Sequence, residues 1–173
     1  MKPIMLLCCL SLCCIVACKK DNAGRNYWGE MSVLKNGEPW SGKIVALQHT
    51  FSKEKVDILI ETFTEEGLHL DNLYFFKIPK AAGRYKLSYS NNQPPDDSLV
   101  GGAYFHGYDD VLYDSYEIAA TDSTSYLEIT QYDARKGEFW GNFDLTLYRT
   151  LAGSAGPDSL IFTNGTFHTR IDD

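Results

Sequence analysis

Beyond residue 18 this chain of 173 residues has no cysteine: all five, at positions 8, 9, 13, 14 and 18, fall in its first eighteen residues. A disulfide framework and a cysteine nucleophile are therefore excluded for the body of the chain. Basic charge is also scarce, with 16 Lys and Arg against 23 Asp and Glu. That balance leaves no electrostatic footprint for nucleic acid and no polybasic patch for a membrane surface. The one uncharged apolar run, residues 3–17, is shorter than the ~20 residues a membrane span needs. There is no Gly-x-Ser-x-Gly elbow, no His-Glu-x-x-His pair and no calcium loop of alternating acids.

What is present begins at the N-terminus. Lys2, the apolar run and the small residue Ala17 before an abrupt polar stretch (Lys19-Lys20-Asp21-Asn22) have the layout of a secretory signal peptide. The break falls at Ile15-Val16-Ala17-Cys18, which resembles the lipobox of bacterial lipoproteins. The resemblance implies cleavage after residue 17 and a lipid (palmitate-type acyl chains) on Cys18. One acyl chain alone binds a bilayer only marginally, whereas a lipoprotein cysteine carries more than one and stays attached. Removing residues 1–17, which carry one Lys, leaves 156 residues and a net charge of 15 − 23 = −8. Any membrane contact is then expected through the lipid.

Residues 18–26 are polar and without pattern, a flexible tether, and residues 27–173 suit one domain with a real core. Apolar residues there recur with period two, as half-buried strands require. Val56, Ile58 and Ile60 share a face opposite Asp57 and Glu61; Val45, Leu47 and Phe51 share another. In 138–148, Phe139, Gly141, Phe143, Leu145 and Leu147 alternate with Trp140, Asn142, Asp144, Thr146 and Tyr148. Further strands are expected at 28–34, 68–76, 84–89, 102–107, 113–118, 124–132, 159–163 and 165–171. Turn signals at Asn36-Gly37, Glu66-Gly67, Ala82-Gly83, Lys136-Gly137, 91–97 and 153–157 separate them. The expected fold is all-β, an antiparallel β-sandwich or barrel of about ten short strands. Residues 108–120 also fit a helical stripe through Val111, Leu112, Ser115, Tyr116 and Ala119, so a short helix is an alternative there.

Several segments resemble a family of uncharacterised Bacteroidota lipoproteins. They are residues 33–40 (VLKNGEPW), Gly83-Arg84-Tyr85, Gly141-Asn142-Phe143-Asp144-Leu145 and Phe162-Thr163-Asn164-Gly165-Thr166-Phe167. These residues speak to the fold: Asn164-Gly165 reads as a turn needing positive φ, and the flanking Phe residues as strand anchors. The resemblance implies an exported, lipid-anchored β-domain in the outer membrane. Surface-exposed lipoproteins of that phylum carry acids just after the cysteine; Lys19-Lys20-Asp21 departs from this and points to the periplasmic side. A second resemblance is to that phylum's O-glycosylation acceptor, Asp followed by Ser or Thr and then an aliphatic residue or Thr. It marks Ser98, Ser123 and Ser159.

Chemistry is harder to find. His49, His69, His106 and His168 show no metal-ligand spacing, and a hydrogen-bonded His in a strand is commoner than a ligand. The acidic pairs, such as Asp109-Asp110, read as solvated turns. No catalytic residue, metal or cofactor is expected, although two facing carboxylates would suffice for a hydrolase. The aromatic residues remain. Tyr104 and Tyr108 sit in a glycine-rich run, and Trp140 and Tyr148 fall on the polar face of the best strand. Such rings beside carboxylates and amides could stack on sugars, or they could cover a second sheet. A non-enzymatic binding or scaffold domain is the first reading, with an envelope protein or a glycan as partner, and a glycan-binding accessory domain the second.

Overall fold

A computed structural model describes residues 25–88 and 99–172. The signal stretch, Cys18 and Ser98 lie outside the described residues. Eleven strands and no helix make up the described chain. They are β1 (Gly29–Lys35), β2 (Glu38–Trp40), β3 (Lys43–Gln48), β4 (Lys55–Phe63), β5 (His69–Pro79), β6 (Gly83–Ser88), β7 (Val100–Tyr108), β8 (Val111–Ile118), β9 (Tyr126–Asp133), β10 (Glu138–Ala152) and β11 (Ser159–Arg170). The all-β expectation holds, and most expected strands lie within a few residues of their places.

All eleven belong to one sheet, in the order β2-β1-β11-β10-β9-β6-β7-β5-β4-β3. β8 stands off this path and joins β7 to β10. β7 and β10 are thus bridged twice, by β8 towards one end and by the β6–β9 pair towards the other. The short β6–β7 ladder is parallel, so the sheet is mixed where an antiparallel one was expected. At the far side, Ala46 bridges Ile171, and Trp28 N–H donates to the Ile44 carbonyl. The sheet therefore wraps onto itself around a single core of Phe75, Phe139, Phe143, Phe162, Tyr104 and aliphatic neighbours.

Three expectations are corrected. Residues 111–118 form a strand, not a helix: Asp114, Tyr116 and Ile118 are buried alternately, and helical spacing there is coincidental with period two. β11 runs unbroken through Asn164-Gly165. Asn164 has φ +56, but it accommodates a bulge opposite Phe143 and Leu145 and makes no chain reversal. Phe51 does not share a face with Val45; it lies exposed in the β3–β4 turn. β2 was not foreseen, because three residues are too few to display a period. By contrast Asn36 and Gly37, with φ +52 and +85, make the expected tight turn.

Candidate polar-aromatic face

The alternation of β10 sends Phe139, Gly141, Phe143, Leu145 and Leu147 inwards, and so forces Trp140 and Asn142 outwards. Antiparallel register then places their neighbours. Glu30, His168, Trp140 and Gln131 form one outer row across β1, β11, β10 and β9. Ser32, Thr166, Asn142, Glu128 and Arg84 form the next, reaching β6. Trp140 stacks on His168 with ring centres 4.2 Å apart and planes 15° from parallel. Trp28 meets the same imidazole edge-on at 4.8 Å, and the Arg170 guanidinium lies 4.9 Å from the Trp28 ring. Glu138 Oε2 is 3.1 Å from His168 Nε2, which fixes the ring that Trp140 rests on. A shallow cleft of about 390 Å³ opens here between Glu30, Ser32, Thr166, His168 and Trp140. It offers a large ring, two hydroxyls 3.2 Å apart and a carboxylate, a set able to hold a polyhydroxylated ligand.

The other aromatic residues do not join it. Tyr148 is exposed but eight residues along β10 from Trp140, ~25 Å away at strand rise. Tyr108 is exposed at the end of β7. Tyr104 is only 2% exposed and faces the core, where its hydroxyl accepts from Lys35 Nζ at 2.6 Å. It is no surface platform.

Instead Tyr104 belongs to a polar network at one end of the wrapped sheet. Asp71 and His106 are register partners across β5 and β7, with Asp71 Oδ1 2.8 Å from His106 Nδ1. Lys35 Nζ lies 3.9 Å from Asp71 Oδ2 and 4.7 Å from the Tyr104 ring centre. Burial, followed by the charge and hydrogen bonding of Asp71, pushes the Tyr104 phenol far above its ordinary range. Burial also lowers Lys35, against the opposing charge of Asp71. Burial would raise Asp71, but the His106 hydrogen bond and the Lys35 charge outweigh it and hold the carboxyl low.

A second cluster anchors the β10–β11 loop. The Asp114 carboxylate, 1% exposed, accepts from Arg149 Nη2 at 2.5 Å, from Gly153 and Ser154 backbone N–H at 3.0 and 3.1 Å, and from the Ser154 hydroxyl. Arg149 also donates to the Ser154 and Gly156 carbonyls.

All four histidines pair with a different carboxylate: His49 with Asp57 at 3.0 Å, His69 with Glu61 at 3.3 Å, His106 with Asp71 and His168 with Glu138. Sequence reasoning placed them in strands but missed every partner. A usable signal was parity. Lys35 follows Met31 and Val33 on one face, and Asp71 precedes Leu73 and Phe75, so both charges are aimed inwards. Of the candidate acceptor serines, Ser123 is exposed in the β8–β9 loop beside Asp122, whose carboxylate is occupied by Thr124 and Ser125. Ser159 is half-buried as the first residue of β11.

No family description, curated protein or solved structure matches the chain.

Proposed function

We propose that this chain is a non-enzymatic binding domain of the bacterial cell envelope, of the Bacteroidota lipoprotein type, held to the outer membrane by lipid on Cys18 and facing the periplasm. Its ligand is a glycan, taken on the outer face of β1, β11 and β10. The observation that carries the ligand assignment is the Trp140–His168 stack beside the cleft of Glu30, Ser32 and Thr166. An indole fixed by a second ring loses little side-chain freedom on binding, and the surrounding polar rows supply hydroxyl partners of both signs. Ser98, Ser123 and Ser159 are its proposed O-glycan acceptors.

The ligand assignment is tested with the mature chain bearing Cys18→Ala, applied to arrayed polysaccharides. Binding is expected, and Trp140→Ala should reduce it about tenfold or more, the loss of one well-packed aromatic contact. An array without binding overturns the assignment. The anchor is tested separately. Cys18→Ala should abolish fatty-acid labelling of the chain in its host, and labelling that persists would place the lipid elsewhere.

A further inference from the structure

We propose that the β7–β8 hairpin tip is a second membrane contact, resting on the phospholipid surface that holds the Cys18 lipid. This rests on the lipid-anchor reading above. The tip exposes Tyr108 (47%), Val111 (54%), Leu112 (50%) and Tyr113 (37%), four large apolar side chains within six residues. They surround a turn at Asp109, φ +54, and Asp110. Phe51, Leu99, Tyr148, Leu151 and Ile161 are exposed as well, but these are dispersed along the described residues; four together around one turn mark a surface with a partner.

The position of the tether identifies that partner. Arg25 Nη1 donates to both carboxylate oxygens of Glu61, at 2.6 and 2.7 Å, and Tyr27 Oη donates to the same group at 2.6 Å. Glu61 is 3% exposed, so the chain is fastened to β4 as soon as it reaches the sheet. Glu61 Oε1 lies 3.3 Å from His69 Nε2, and the His69 carbonyl accepts from Asp109 N–H at 2.8 Å. One residue, His69, therefore separates the fastening point at Glu61 from the hairpin turn at Asp109. Arg25 follows Cys18 by seven residues, which span at most ~25 Å when fully extended. A lipid on Cys18 keeps this end of the domain within reach of the bilayer. The opposite end, with Phe51 in the β3–β4 turn, points away from it.

The tip's chemistry suits a shallow contact. Tyr rings favour the level of the headgroups, and Val111 and Leu112 gain by leaving water. The carboxylates of Asp109 and Asp110 stay among the headgroups and keep the tip from entering the hydrocarbon. They and the acidic balance of the chain favour phosphatidylethanolamine over anionic lipid.

The test uses the full lipidated chain in vesicles of phosphatidylethanolamine and phosphatidylcholine. Acylation consumes Cys18 and the other cysteines leave with the signal, so Leu112→Cys or Phe51→Cys each introduces a single site for a nitroxide label. The Leu112 label should be relaxed by dissolved oxygen and shielded several-fold from a water-soluble nickel chelate, relative to the Phe51 label. Adding anionic lipid should weaken that contrast. Equal chelate access at both sites on vesicle-bound protein overturns the contact and leaves the anchor standing. A Leu112 label shielded from both reagents overturns it in favour of a protein partner. Protein that carries no acyl mass on Cys18 and does not float with vesicles removes the anchor, and the tip contact with it.

Discussion

Phe143→Ala is expected to destabilise the domain by about 3–5 kcal/mol, the range for deleting a fully buried ring, and to lower the thermal midpoint by roughly 10 °C. Phe143 is completely buried, with its ring centre 5.0 Å from that of Phe75. It also covers a glycine. Phe143 faces Gly165 across the β10–β11 ladder, while two residues along, Gly141 faces Phe167. A Cβ on Gly165 would lie 2.6 Å from the Phe143 ring, and one on Gly141 would lie 2.5 Å from Phe167. Each ring occupies the space its opposite glycine vacates, so the two strands are locked reciprocally. Gly165→Ala alone should cost about 1–3 kcal/mol by overpacking. Combined with Phe143→Ala, the new methyl enters the emptied space, and the double variant should lose less than the sum of the two. Chemical denaturation of the four proteins measures this coupling. Additive losses would mean the pair is not a lock.

Asp114→Asn should lower the thermal midpoint at pH 7 by about 5 °C or more, a typical effect for a domain of this size when a buried network is broken. The variant keeps the shape but removes the charge that Arg149 and two backbone N–H groups point at. Burial alone would raise the Asp114 carboxyl, but the Ser154 and Arg149 hydrogen bonds, with the backbone N–H groups, hold it well below the ordinary range. Such a depressed group contributes fully above the unfolded carboxyl's value, ~4, and its contribution is lost as pH falls through the folded value. Wild type should therefore lose stability below about pH 4 faster than Asp114→Asn. Thermal melts at pH 7 and pH 3 should show the gap between them narrowing. A constant gap would assign the loss to packing instead of charge.

Much of the architecture was legible in period two. The β10 alternation holds from Phe139 to Tyr148, and Asn36-Gly37 turns where its residues require. What failed did so for physical reasons. A strand between two others, such as β8, and a helix with one apolar stripe can share a short pattern, so the spacing of Val111, Leu112, Ser115, Tyr116 and Ala119 fits either. Asn-Gly supplies positive φ equally to a turn or a bulge, and only the pairing of Phe143 with Gly165 distinguishes them. Of the candidate site, Trp140 was placed on the outer face correctly. Its partner His168 lies on the next strand, β11, but Glu30 lies on β1, over a hundred residues away, and its arrival beside them depends on a strand order that no local pattern records. Tyr104 was legible as a ring but not as a core ring, since its neighbours Gly101 and Gly102 give no alternation to read.

The placement of β11 between β1 and β10 has a consequence for how the chain acquires its shape. Before β11 arrives, β1 has only the three-residue β2 as a ladder partner, and β10 has one flank open. Ala46 likewise waits for Ile171. The β1–β11 and Ala46–Ile171 contacts join residues more than a hundred positions apart, and such long-range pairing slows folding because its entropic cost precedes its reward. A nascent chain therefore remains unclosed until its last strand has been made. Under the export proposed above, that delay would keep the chain in a transportable state.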